Sequence, residues 1–136
     1  MGESEQQHKN RDFVDMNRIL IADDEAFLLQ GLSRALQNPA TYVMMVETGA
    51  AALAEVASSA YQLCFLDLFL PDLEGTKVLE KIKEISPETK VVVMTAGVIN
   101  NEMKDSIENS AYMFMTKPFE LLQVKMIVKR ALEEAD

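Results

Sequence analysis

Five short apolar runs end in groups able to handle a charged phosphorus centre. The runs occupy residues 18–22, 42–46, 63–67, 90–95 and 112–116. The first is followed by Asp23-Asp24-Glu25, the third closes on Asp67, the fourth leads into Thr95-Ala96-Gly97, and the fifth into Lys117-Pro118-Phe119. Two carboxylates about 4 Å apart repel by about 4 kcal/mol at an effective dielectric of about 20. Gathered in one crevice, Asp23, Asp24 and Asp67 therefore call for a compensating cation, or else a raised pKa. Mg²⁺ suits such a set, because it takes oxygen ligands and commonly sits between carboxylates and a phosphate. Lys117 adds a point charge for a phosphoryl oxygen, and Thr95 adds a hydroxyl donor. No His or Cys stands at these ends, so a general-base triad is missing. The set suits the acceptance of a phosphoryl group on a carboxylate.

Taken singly, each residue has a plainer reading. A strand-end aspartate usually caps a helix or shapes a turn, so Asp23 or Asp24 alone suits a helix cap. Asp72, within Leu-Pro-Asp-Leu-Glu-Gly, reads as a turn residue. Thr95 alone is an ordinary strand end, and Lys117 alone a solvated lysine. The coincidence at four strand ends carries the functional reading.

The elements that must position these groups follow from periodicity. Leu28, Leu32, Ala35 and Leu36 share a helical face, as do Leu53, Val56, Ala57 and Ala60, and then Val78, Leu79, Ile82 and Ile85. Met103 and Ile107 mark a fourth helix, and Leu121, Val124, Val128 and Ala131 a fifth. Asn38-Pro39, Pro71 with Gly75, and Ser86-Pro87 punctuate them. Near-continuous apolar strands alternating with helices imply an α/β fold, a parallel sheet covered on both faces. Right-handed crossovers give a doubly wound, flavodoxin-like sheet of five strands in the order 2-1-3-4-5, flanked by five helices. Ligands of such sheets bind outside the carboxyl ends of the strands at the switch in strand order. That point lies between the first and third strands, where the aspartates stand.

Composition narrows the class. The chain has 136 residues and 13 Lys+Arg against 22 Asp+Glu, a net charge of −9. That acidity argues against direct nucleic-acid binding, which needs clustered cations. With 49% hydrophobic residues the chain has enough to bury for a single folded domain. No apolar run approaches the roughly 20 residues of a membrane span, and the polar start lacks a signal-peptide core. Cys64, the one cysteine, forms no intrachain disulfide. These features point to a cytoplasmic protein with residues 1–16 as a flexible leader, where His8 stands alone, and a domain over 17–136.

Over roughly residues 17–134 the sequence resembles the receiver domain of two-component response regulators. The matching stretches are Ile-Leu-Ile-Ala-Asp-Asp-Glu (19–25), Leu-Asp-Leu-Phe-Leu-Pro-Asp-Leu-Glu-Gly (66–75), Val-Val-Met-Thr-Ala-Gly (92–97) and Phe-Met-Thr-Lys-Pro-Phe (114–119). The resemblance implies that Asp67 is the phosphoacceptor, taking its group from a sensor histidine kinase or phosphotransfer protein. It implies Mg²⁺ (or Mn²⁺) held by Asp67, by Asp24 directly, by Asp23 through water and by the Phe69 backbone carbonyl. Thr95 and Lys117 would hold phosphoryl oxygens, and the Lys117–Pro118 bond would be cis. On phosphorylation Thr95 would move toward the new group and Phe114 would swing inward. The family is a switch that changes partner binding, not a conventional enzyme, and occurs stand-alone or as part of a longer regulator.

The sequence also departs from the family. Phe69, two residues after Asp67, is bulky, and Gly97, two after Thr95, has no side chain. Phe69 is expected to shield the phosphoryl group on one side while Gly97 leaves a gap on the other. The run Ala-Tyr-Met-Phe-Met (111–115) is expected to expose Tyr112 and Met113. The last helix is apolar nearly all round, through Leu121, Leu122, Val124, Met126, Ile127 and Val128, and is expected to bury more than one face. An interaction surface for a downstream target or a second copy is therefore expected on the fourth helix, fifth strand and fifth helix. Two other functions share parts of this pattern. A flavin-binding electron carrier of the same topology needs an anion-binding loop after the first strand, which Asp-Asp-Glu would repel. An aspartyl-phosphate phosphatase carries a second Asp two residues after its nucleophile, where this chain has Phe69.

Overall fold

The computed structural model describes residues 16–134. The leader expected over 1–16 lies outside the described residues except for Met16. Five strands, β1 (Asn17–Ala22), β2 (Thr41–Val46), β3 (Leu63–Asp67), β4 (Lys90–Thr95) and β5 (Met113–Thr116), alternate with five helices. The helices are α1 (Ala26–Leu36), α2 (Gly49–Ser58), α3 (Gly75–Ile85), α4 (Asn101–Ser110) and α5 (Leu121–Glu133). The sheet order is β2-β1-β3-β4-β5 and every pairing is parallel. The strand order reverses between β1 and β3, as the sequence implies.

Alternation along the strands divides the core between the two faces of the sheet. Leu20, Ala22, Cys64, Leu66, Val91 and Val93 pack on one face, with Ala52, Val56, Val78, Leu79, Ile82 and Ile107 from α2, α3 and α4. Ile19, Ile21, Phe65, Val92 and Met94 pack on the other, with Leu29, Leu32, Leu36, Val124, Ile127 and Ala131 from α1 and α5. Both faces are covered, so the ladder is dry and rigid and holds the strand ends in fixed register.

Several helix faces differ from the periodic reading. In α1 the buried residues are Leu29, Leu32, Ser33 and Leu36, with Leu28 only half-buried. Leu28 and Leu29 are both leucines, so composition alone left the face one residue ambiguous. In α2 the buried positions are Gly49, Ala52 and Val56; Ala57 is exposed, and Ala60 lies beyond the end of the helix. Small residues there bring α2 close to α3. The fifth helix buries one face, Val124, Ile127 and Ala131, and leaves Leu121, Leu122 and Met126 exposed. The expectation that α5 buries more than one face is therefore not met. Nor are Tyr112 and Met113 exposed: both are half-buried against the α1/α5 core. Tyr112 is held by the Lys90 ammonium, 5.3 Å from its ring centre, and its hydroxyl donates to Glu134 Oε2 at 2.7 Å.

Candidate functional site

The dry sheet delivers four side chains to one end. Asp23 follows β1, Asp67 closes β3, Thr95 closes β4 and Lys117 follows β5. Backbone bonds between neighbouring loops hold them. The Asp23 N–H donates to the Val46 carbonyl (3.1 Å), that of Leu68 to Met94 (3.3 Å) and that of Lys117 to Thr95 (2.9 Å). The Lys117–Pro118 peptide is cis.

At the centre of the site the Lys117 ammonium meets three carboxylates. Its Nζ lies 2.7 Å from Asp23 Oδ2, 3.0 Å from Asp67 Oδ2 and 2.5 Å from Glu25 Oε1. The other oxygens are engaged by backbone, Asp23 Oδ1 accepting from the Glu25 N–H (2.8 Å) and Asp67 Oδ1 from the Phe69 N–H (2.9 Å). Asp23 is fully buried and Asp67 nearly so. Burial raises the Asp23 pKa, against the opposing pull of Lys117 and the Glu25 N–H. Burial alone would lower the Lys117 pKa, but the contacts its ammonium makes to the Asp23, Glu25 and Asp67 carboxylates outweigh it and raise the ammonium well above its usual value.

Three carboxylates against one ammonium leave the cluster electron-rich. Asp23 Oδ2 is buried and, its ionic contact with Lys117 aside, has no well-directed hydrogen-bond partner. Ligand oxygens of Asp23, Glu25 and Asp67 lie within 4.8 Å of one another. A hard divalent cation fits this donor set, which is all oxygen and under-neutralised.

The structure does not gather every sequence-derived candidate. Asp24 is exposed and lies outside the close group, while Glu25, to which the sequence pattern gave no role in the site, is in it. Adjacency in Asp-Asp-Glu was the available signal for Glu25. Thr95 is buried, and its hydroxyl accepts from the Gly97 N–H at 3.0 Å. Phe114 is exposed on the edge strand. The gap expected at Gly97 is filled: a Cβ there would stand 2.4 Å from Phe69 Cε2. Asp72 does more than shape a turn. Its Oδ1 accepts from the Gly49 N–H (2.8 Å) and its Oδ2 from the Ala50 N–H (3.0 Å), across a sequence gap of more than 20 residues. Those bonds, with Ala50 the stronger influence, hold its carboxyl below the usual range.

The family model of the response regulator receiver domain matches residues 19–129. The chain belongs to the response regulator receiver domain family. This receiver domain is 33% identical over 120 residues to the transcriptional regulatory protein CiaR of Streptococcus pneumoniae, covering 88% of this chain and 53% of CiaR. It is 30% identical over 123 residues to hybrid signal transduction histidine kinase L of Dictyostelium discoideum, covering 85% of this chain and 7% of that kinase. The chain thus spans about half or less of these relatives. Among solved structures, a CheY-like response regulator receiver domain protein from Methanospirillum hungatei JF-1 superposes with a TM-score of 0.82 at 28% identity, over 88% of this chain and 95% of that one. The BeF3-activated DrrB receiver domain does so with a TM-score of 0.77 at 32% identity, over 88% and 99%. Receiver domains are the phosphorylation switches of two-component systems, found alone or within longer regulators and hybrid kinases; they are not conventional enzymes. Receiver domains bind Mg²⁺ in an acidic pocket, and they pair with histidine kinases or phosphotransfer proteins and with effector domains. Among the described residues, no helix is long and apolar enough to cross a membrane.

Proposed function

We propose that Asp67 accepts a phosphoryl group from a phosphohistidine on a sensor kinase or phosphotransfer protein, and that the acyl phosphate changes which partner the domain binds. One observation carries this reading: the Lys117 ammonium lies between the Asp23 and Asp67 carboxylates at the switch in strand order. An Asp67 oxygen attacks phosphorus, the P–N bond to imidazole breaks, and the imidazole leaves with the bonding pair and takes up a proton. Phosphoryl transfer needs positioning and charge neutralisation more than proton chemistry. Asp23, Asp24, Asp67 and the Phe69 carbonyl would hold Mg²⁺ or Mn²⁺, with Glu25 close by. The ion supplies Lewis-acid neutralisation of the phosphoryl oxygens.

The residues of the chain do the rest. Lys117, already drawn to Asp67, is the charge that meets an incoming phosphoryl oxygen. Thr95 turns its hydroxyl from the Gly97 N–H toward that group, and Phe114 moves in from the edge strand behind it. The surface changed by these movements comprises α4, β5 and α5, where Phe114, Leu122 and Met126 offer apolar area to an effector or a second copy. The receiver occupies residues 17–136, with 1–16 as its leader, and works in the cytoplasm without contacting nucleic acid itself.

Acetyl phosphate with Mg²⁺ tests the reading, with Asp67→Asn as control. One phosphoryl group per chain is expected on the wild type and none on the variant. Labelling that survives the substitution overturns the assignment of Asp67.

A further inference from the structure

We propose that Asp72 is a positioning residue, holding the loop that carries Asp67 and Phe69 in place for the cation; this rests on the metal site proposed above. The loop 68–74 leaves β3 directly after Asp67 and returns at Gly75. There it turns back tightly: a Cβ on Gly75 would lie 2.2 Å from the Leu68 carbonyl oxygen. Leu68 and Leu70 anchor the loop in the core, while Phe69, Pro71, Asp72, Leu73 and Glu74 are exposed. Among the side-chain hydrogen bonds described for residues 68–74, those of Asp72 alone leave the loop, and they end on the first two amides of α2.

Those amides are the ones a helix start leaves without intrahelical partners. Thr48 already caps α2 from its own side, its hydroxyl accepting from the Ala51 N–H at 3.1 Å. Asp72 takes the two that remain before it, placing a carboxylate at the positive end of the helix dipole. The α2 entry is also tied to the other acidic loop, because the Val46 carbonyl three residues earlier accepts from the Asp23 N–H. A chain of contacts results, running from Asp23 to Val46, on to Gly49 and Ala50, across to Asp72, and back along the loop to Phe69 and Asp67. Both sets of proposed ligands lie on this chain of contacts, so cutting it at Asp72 removes the restraint that the start of α2 places on the loop carrying Phe69, beyond those of the Leu68 N–H and the buried Leu68 and Leu70. Groups behind the direct ligands commonly set metal affinity in this way.

The test is a Mg²⁺ titration followed through the backbone amide signals of Asp67 and Phe69, with amide hydrogen exchange at Gly49 and Ala50. Asp72→Ala is expected to speed exchange at both amides and to raise the Mg²⁺ half-saturation about ten-fold. Asp72→Asn, which keeps one acceptor oxygen, should fall between it and the wild type, and it serves where the alanine variant folds poorly. Thr48→Ala weakens the same helix start without touching the loop, and its Mg²⁺ half-saturation should match the wild type. An unchanged half-saturation in Asp72→Ala, or equal rises in Asp72→Ala and Thr48→Ala, overturns the positioning role. A wild type that binds no Mg²⁺ overturns the metal site itself, and the inference with it.

Discussion

The Phe69 ring stands in the space where a side chain on residue 97 would begin. A Cβ at Gly97 would meet Phe69 Cε2 at 2.4 Å and Cζ at 2.6 Å. Two departures from the family therefore form one interlocked pair, in which the small residue makes room for the large one. The obstructing atoms are the far end of a ring that is 47% exposed, so a side chain at 97 pushes the ring outward rather than deforming backbone.

Dephosphorylation of the acyl phosphate should report this coupling. Gly97→Ala is expected to displace the ring and change the rate, whereas in a Phe69→Ala background the same substitution should have little effect. The double-mutant cycle on the autodephosphorylation rate measures it. Additive effects would break the link between the two residues. Phe69→Asn and Gly97→Glu bracket the range, and rates equal to wild type in both would remove any role for the pair.

Removing the Lys117 charge should destabilise the fold and make it depend on a divalent cation. Lys117→Met leaves buried Asp23 and Asp67 facing one another without their ammonium. Stripping one partner from a buried ion pair costs about 3 kcal/mol. Urea unfolding in EDTA should show that loss, and Mg²⁺ should restore more stability to the variant than it adds to the wild type. Equal stability of variant and wild type in EDTA would refute the view that Lys117 neutralises the cluster.

The sheet and the strand-end residues were legible because both follow from local pattern. Runs such as residues 91–94 are apolar throughout, and a fully covered parallel sheet places the strand ends together whatever the helices do. Side-chain partnerships were not legible. Glu25 sits at the N-cap of α1 with no side-chain bond to the helix, and its true partner, Lys117, is 92 residues away. Asp72 reads as a turn residue because nothing in Leu-Pro-Asp-Leu-Glu-Gly reveals that the start of α2 lies against it. The Phe69–Gly97 fit is packing between two loops, which spacing along a chain does not encode.

The pH dependence of stability should carry the signature of Asp72. Hydrogen bonds from the Ala50 and Gly49 amides lower its pKa in the folded state below the ordinary value of 3.8. A depressed carboxyl stabilises the fold above its unfolded pKa, and the effect fades as pH falls through the folded value. Asp72→Asn should therefore melt below the wild type at about pH 6, and the gap should close as the pH drops below about 4. A gap independent of pH would mean that the charge of Asp72 contributes nothing.

Cys64 should be chemically silent while the domain is folded. It is fully buried in β3, and burial pushes its thiol up to about 12. Since the thiolate is the reactive form, alkylation at about pH 8 should wait for unfolding. Iodoacetamide followed by mass spectrometry is expected to find negligible label in native buffer and complete label in urea. Rapid labelling of the native protein would contradict the burial.

The exposed apolar residues of β5 and α5 yield the last prediction. Phe114 is 38% exposed, Leu122 65% and Met126 64%, and the last two lie one helical turn apart on α5. Met113, by contrast, is half-buried against the α1/α5 core and makes a poor probe of the surface. Met126→Lys should leave monomer stability within about 0.5 kcal/mol of wild type, as surface changes usually do. It should nonetheless abolish any association induced by a beryllofluoride mimic of the phosphoryl group, followed by light scattering. Met113→Lys should lose stability instead, because it drives an ammonium into the α1/α5 core. A Met126→Lys variant that associates like the wild type would move the partner surface off α5, toward the other exposed apolar side chains at the site end of the sheet, Phe27 (93%) and Val98 (90%).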